Sequence, residues 1–264
     1  MIARADFVEG LAKGLAVLEC FSPDRQRLNA TLVAQRAGLS RAAARRQLLT
    51  LEHLGYLEQQ DGFFWLTPQV LRLSGVYLSS SRLPQVMQPI LDRLAMQLRA
   101  GCSTVVLDRA QVVIVARSVA PAPSGLAPAR TGRAMAAYGL YQGARLAAHA
   151  TSTGRVLLAA LRPAALREWL AQHGPLQRLT PHTTTEVRRW KAIVDTVRRQ
   201  DFALASEEHE LGVHSVAVAL RDMAGQAVAA INVVTGGGGL RSEDTLAETL
   251  AALRAAAGEA RPLL

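Results

Sequence analysis

Cysteine is nearly absent from this chain: Cys20 and Cys102 stand alone and far apart. Neither a disulfide framework nor a Cys-x-x-Cys metal or redox site can be built from them, and a reducing compartment is expected. Lysine is as scarce. Of 30 basic residues only Lys13 and Lys191 are lysine, which leaves 28 arginines within a formal net charge of +9. Aromatic residues make up only 5% of the chain, so any core must be mostly aliphatic. No apolar stretch reaches the roughly 18 residues of a transmembrane helix. The segment Met1–Glu9 carries Asp6 and Glu9 in place of the apolar centre of a secretion signal. A soluble, cytoplasmic protein with no membrane partner is expected.

Catalytic constellations are missing too. No Gly-x-Ser-x-Gly elbow occurs, and Ser152-Thr153-Gly154-Arg155 lacks the Gly-Lys-Ser of a phosphate-binding loop. Gly236 to Gly239 follow a strand-like run without dinucleotide-binding spacing and read as a turn. His149 and His209 have no neighbouring ligands at metal spacing. No enzyme activity, metal or cofactor is expected.

What is present is length and apolar material: 264 residues, half of them apolar, predict two domains. Arginine suits phosphate and base-edge contacts, but an arginine bias also accompanies GC-rich coding, so position matters more than total. Val8, Leu11, Leu15, Leu18 and Phe21 recur at helical spacing, predicting a helix that buries this face before Ser22-Pro23-Asp24 stops it. Asn29 is placed to cap a second helix with Leu32, Val33 and Ala37 inside, ended by Gly38, with Leu39 plugging the core. Ser40 is placed to cap a third, running to about Leu54 and burying Ala44, Leu48 and Leu51. Helix, glycine turn and serine-capped helix is the spacing of a helix-turn-helix, whose second helix enters the DNA major groove.

The charge pattern agrees. Arg25, Arg27, Arg36, Arg41, Arg45 and Arg46 fall in a stretch with no acidic residue, although residues 1–68 carry eight basic against seven acidic groups. Tyr56 to Gln60, the turn Asp61-Gly62, and Phe63 to Leu66 predict a β-hairpin wing, with Tyr56, Leu57, Phe64 and Leu66 covering the helices. The candidate DNA-contacting set is Arg25, Arg27, Thr31, Ser40, Arg41, Ala42, Arg45, Arg46, Asp61 and Gly62. Arg41 and Arg45 are expected at bases or nearby phosphates, and Arg46 on the backbone. From Pro68 a linker helix follows, its stripe of Val70, Leu71, Leu73, Val76, Tyr77 and Leu78 suited to pairing protomers.

Beyond Leu83 a helix (Gln85 to Arg99) precedes strands at Thr104 to Leu107 and Val112 to Ala116. Pro121 to Pro128 reads as an exposed loop, with Gly132 to Tyr141 restarting the sheet. Helices are predicted at Ser152 to Ala160, Pro163 to Gln172 and Glu186 to Gln200, then strands at Ser215 to Arg221 and Ala227 to Val234, and a closing helix from Ser242. That order is α+β, a mainly antiparallel sheet flanked by helices. The domain limits read as 1–67 for DNA binding, 68–82 for the linker helix and 83–264 for the second domain. A helix opening with Thr151, Ser152 and Thr153 offers backbone N–H groups and a positive dipole end to a carboxylate, or the hydroxyls simply cap it.

These residues carry a resemblance. Ala34 to Pro68, AQRAGLSRAAARRQLLTLEHLGYLEQQDGFFWLTP, resembles the winged helix-turn-helix of the IclR family of regulators. GARLAAHATSTGRVLLA (Gly143 to Ala159) and ALASEEHELGVHSVAVALRDMAGQAVAAINVV (Ala203 to Val234) resemble the family's effector-domain segments. FVEGLAKGLAVLECF (Phe7 to Phe21) is most similar to the aromatic-acid branch, the regulators of protocatechuate, 4-hydroxybenzoate and β-ketoadipate catabolism. The resemblance implies a GAF-like effector domain and an effector pocket at Met135, Tyr138, Leu146, Ser152, Thr153, Ala205, Ser215, Asn232 and Val234. It implies operator DNA and a small organic acid as partners, and a homodimer or dimer of dimers. Arg133 could clamp the acid or face water, and His214 stands where relatives commonly have arginine. The alternative is a DNA-binding protein whose second domain only oligomerises.

Overall fold

The computed structural model describes residues 3–22, 24–120, 140–236 and 242–264, which form two compact units, Met1–Ser79 and Ser80–Leu264. The first holds α1 (Glu9–Leu18), β1 (Leu28–Asn29), α2 (Ala30–Ala37), α3 (Arg41–His53), β2 (Leu57–Gln60), β3 (Phe63–Leu66) and α4 (Leu71–Ser80). The sequence logic of caps and turns is realised. Asn29 accepts from the Leu32 amide at 3.0 Å and Ser40 from the Ala43 amide at 3.2 Å, each such cap contributing about 1 kcal/mol. Asp61 and Gly62 take φ of 52° and 78°, the left-handed pair that a two-residue hairpin requires. Ala44, Leu48 and Leu51 of α3 pack with Val17, Val33, Leu57 and Phe64 into one core.

Five expected burials are corrected. Val8, Leu11 and Leu15 are exposed, and α1 instead buries Val17, with Cys20 just beyond its end, because α1 packs on α2 and α3 by one flank only. Leu32 is exposed while Ala34 is buried beside Val33, so the inner face of α2 is turned by less than the 100° between consecutive residues from the expected one. Leu66 is also exposed, although it shares a face with Phe64 and pairs with the buried Leu57: it is the last residue of β3. The strand β1, pairing Leu28 with Phe64 and Asn29 with Phe63, makes the wing a three-stranded sheet of order β1-β3-β2.

The second unit is built on six antiparallel strands in the order β6-β5-β4-β9-β8-β7. They are β4 (Gly101–Asp108), β5 (Gln111–Val119), β6 (Arg145–Ala147), β7 (Ala203–Ser206), β8 (Val213–Arg221) and β9 (Ala227–Gly236). Alternation along each strand separates two cores. Cys102, Val216, Ile231 and Val233 face α5 (Arg82–Leu98) and α9 (Glu243–Ala260). Val105, Ile114, Ala217 and Ala230 face α6 (Ser152–Ala160), α7 (Pro163–His173) and α8 (Val187–Gln200). Trp190 of α8 is fully buried, stacks on Trp169 of α7 at 5.9 Å, and donates from Nε1 to the His149 carbonyl at 2.9 Å. The expected strand at Gly132 to Tyr141 lies largely outside the described residues; Leu140 and Tyr141 are not in a strand, and the sheet resumes at β6. Among the described residues no helix is long and apolar enough to cross a membrane.

Candidate functional site

In the first unit, Ser40 starts α3 so that Arg41, Ala42, Arg45 and Arg46 are all exposed. Arg41 and Arg45 border a groove whose other walls are Asn29, Ala30 and Thr31 at the start of α2 and the wing residues Gln59, Asp61, Gly62 and Phe63. The fold therefore gathers Thr31, Arg41, Arg45, Asp61 and Gly62 around one depression. Arg46 lies outside it, and Arg25 and Arg27 border a separate groove with Asp24, Gln35 and Arg36. Arg27 rests on the Trp65 ring, 4.6 Å from its centroid, and Arg36 is tied to the Cys20 carbonyl.

The second unit holds a cavity of about 590 Å³, its mouth included, between the sheet and the start of α6. Leu146, Ser152, Thr153, Ala205, Ser215, Asn232 and Val234 all line it. Met135 and Tyr138, like Arg133 and the loop at 121–128, lie outside the described residues. Ser152 and Thr153 do not cap the helix. Thr151 does, accepting from the Gly154 amide at 3.2 Å, while Ser152 Oγ donates to Ser215 Oγ at 2.8 Å. The helix start is pressed onto the preceding turn: a Cβ on Gly154 would lie 2.1 Å from the Ala148 carbonyl oxygen. Only glycine permits this approach.

Asn232 is 8% exposed, and its Oδ1 has no hydrogen-bond partner among the described residues. A buried acceptor left unpaired costs about 1–3 kcal/mol, so this atom awaits a donor. Val105, Ile114, Leu140, Leu146, Val213 and Val234 supply apolar walls, the mixture of apolar surface and few polar groups that suits a small organic ligand.

Sequence reasoning missed Ser103 and the Glu208-His209-Glu210 run, all of which line the cavity. The signal was present as four consecutive polar residues, Glu207 to Glu210, in the connection between β7 and β8. Glu208 forms a two-pronged ion pair with Arg155, at 2.6 and 2.5 Å, and accepts from the Thr184 amide at 3.0 Å. Arg155 also donates to the His149 and Leu204 carbonyls. Four of this guanidinium's five N–H groups are thus engaged within the protein. Burial, with repulsion from His149, pulls the His209 imidazole below its usual value, and burial pushes the Glu210 carboxyl up. His214 lies outside the cavity lining, its Nδ1 3.1 Å from Ser206 Oγ. Among the described residues no His, Cys, Asp and Glu group could hold a metal ion.

Comparison with known proteins matches residues 75–260 to the bacterial transcriptional regulator IclR C-terminal family and residues 10–61 to the IclR helix-turn-helix domain. The p-hydroxybenzoate hydroxylase transcriptional activator of Acinetobacter baylyi is 45% identical over 263 residues, covering 100% of this chain and 94% of that protein. The crystal structure of a double mutant of the PobR inducer-binding domain from Acinetobacter, in complex with 3-hydroxybenzoic acid, superposes with a TM-score of 0.61 at 38% identity, covering 70% of this chain and 100% of that one. An IclR homologue from Microbacterium hydrocarbonoxydans, complexed with 4-hydroxybenzoate, superposes with a TM-score of 0.72 at 28% identity over 95% and 97% of the two chains.

Proposed function

We propose, from the premise that this chain belongs to the IclR family of bacterial transcriptional regulators, that it binds operator DNA through α3 and the wing under the control of an aromatic carboxylic acid of the hydroxybenzoate class. The observation that carries the reading is the cavity at the start of α6, with apolar walls, the hydroxyls of Ser152 and Thr153, and the Asn232 acceptor that is unpaired among the described residues. An aromatic ring fills such walls, and a ring hydroxyl supplies the missing donor. The 45% identity to an activator of p-hydroxybenzoate hydroxylase, and the hydroxybenzoates bound by two similar structures, favour the same ligand class. The working limits are 1–67 for DNA binding, 68–82 for the linker and 83–264 for effector binding and oligomerisation.

In this reading Arg41 and Arg45 meet the major groove, Arg46, Arg25 and Arg27 reach the phosphate backbone, and the Asp61-Gly62 tip reaches the adjacent groove. The protein acts as a homodimer or dimer of dimers in the cytoplasm. Support for pairing comes from the exposed apolar residues Leu11 and Leu15 of α1 and Leu71 and Leu73 of α4, apolar surface that a second copy would cover. The test is fluorescence anisotropy of the full chain on DNA from its own promoter region, with and without 4-hydroxybenzoate. The reading expects the acid to change operator affinity by about 5- to 150-fold. Saturable acid binding with no change in operator binding or transcription would contradict it.

A further inference from the structure

Among the described residues Arg117 is a cation without a counter-ion. It stands near the end of β5, opposite Ser103 of β4, and Ser103 is opposite Asn232 of β9. Directly paired residues of neighbouring strands leave the sheet on one face. That face is the cavity's, because Ser103 and Asn232 both line it. The Arg117 Nη1 atom is buried and has no hydrogen-bond partner among the described residues. No ion pair among the described residues includes it.

The undescribed segments cannot supply the missing carboxylate, because the sequence has no Asp or Glu between Asp108 and Glu168, and none in residues 1–2, 23 or 237–241. Burial pulls the guanidinium's pKa down, and the charge-bearing neighbour it feels is the Cys102 thiol. Burial pushes that thiol up to about 12, so it is neutral at physiological pH. A partly buried guanidinium with no anion is unfavourable, and a ligand carboxylate would remove that cost.

The rest of the cavity points the same way. Arg155, behind the cavity wall, is held by the lining residue Glu208. Glu208 and Glu210 sit in the β7–β8 connection, whereas Arg117 is on β5, and the central strands β4 and β9 lie between β5 and β8 in the sheet. Arg117 therefore stands on the β5 side of the sheet face that the cavity adjoins, and the lining carboxylates stand on the β8 side, where Arg155 offsets Glu208 and leaves Glu210. A bound carboxylate is repelled from the second and drawn to the first.

We propose that Arg117 is the carboxylate anchor of the effector cavity. The acid then lies with its carboxylate toward the β4–β5 side and a hydrogen-bond donor on its ring toward Asn232 or the Glu208–Glu210 loop. This assignment rests on the effector reading above and specifies its ligand as an aryl carboxylic acid bearing a donor away from the carboxylate.

The experiment is calorimetric titration of the full chain, wild type, Arg117→Gln and Arg117→Lys, with 4-hydroxybenzoate and with its uncharged analogue 4-hydroxybenzamide. Loss of a charge-assisted contact should weaken acid binding to Arg117→Gln by at least about tenfold, leave amide binding within about threefold of wild type, and be partly restored in Arg117→Lys. The ligand-free melting temperature of Arg117→Gln should be unchanged or higher, since an unpaired buried charge has been removed. Equal acid affinity in wild type and Arg117→Gln overturns the assignment and leaves the effector reading standing. So does parallel loss of acid and amide binding with a lowered melting temperature, which marks a structural residue. If the wild type binds no hydroxybenzoate, the effector reading fails and the anchor with it, a result that needs no variant to recognise.

Discussion

Gly154 shows how one residue fixes the effector site. It holds the start of α6 against the Ala148 carbonyl, so Gly154→Ala forces backbone apart. We expect that variant to lose about 3 kcal/mol of stability and to bind acid more weakly, as read by thermal unfolding with and without ligand; wild-type stability would contradict the packing described. His149 makes a second residue-scale prediction. Burial holds its imidazole below the usual 6.5, against the opposing pull of its bond to the Gln177 carbonyl. Below 6.5 the unfolded chain thus takes up a proton that the folded one resists, so this contribution to stability is full above about pH 6.5 and is lost as pH falls through the lowered value. His209 is shifted in the same direction. Melting temperature measured from pH 7.5 to 5 should fall, and His149→Gln should flatten the decline without abolishing it. Identical slopes would exclude the buried neutral histidine as its source.

At the scale of elements, α3 carries the DNA-binding claim. Ser40→Ala removes its cap and should cost about 1 kcal/mol of stability, measurable by denaturant unfolding. Arg46→Ala should weaken binding to every DNA sequence and lower the salt-dependence slope by about one; unaltered affinity and slope would refute a phosphate contact. The elements were legible in the sequence where a local rule acted alone. Asn29 and Ser40 each cap the helix expected of them, the closing helix begins just after Ser242, and Asp61-Gly62 makes the wing turn. The strands β1, β6 and β7 were not legible, because two to four residues are too short to display a period and their pairing is set by distant partners such as Phe64, Val112 and Ser215. The face of α1 misled for a related reason: periodicity reports that an apolar stripe exists and not what covers it. At the cavity, Ser152 and Thr153 were legible as hydroxyls opening a helix and Asn232 came from resemblance, whereas the position of Arg117 and the engagement of Glu208 depend on cross-sheet register and a buried ion pair that no local pattern reveals.

At the scale of the whole molecule, total charge was a poor guide to function. The net +9 gives no address, whereas the acid-free arginine stretch of the first unit and Arg117 on the sheet face that adjoins the cavity of the second each point to an anion, one a phosphodiester and one a carboxylate. A regulator of this family needs both, and occupancy of the second must be felt at the first. Ligand binding to the folded chain alone also raises its stability, by about 2.7 kcal/mol at a hundredfold excess over Kd. Calorimetric titration of the full-length protein with 4-hydroxybenzoate tests the central claim most directly. The account predicts a saturable heat corresponding to one acid per chain, accompanied by a rise in melting temperature. Neither heat nor thermal shift with any hydroxybenzoate up to millimolar concentration would contradict it and leave a DNA-binding protein whose second unit only joins copies together.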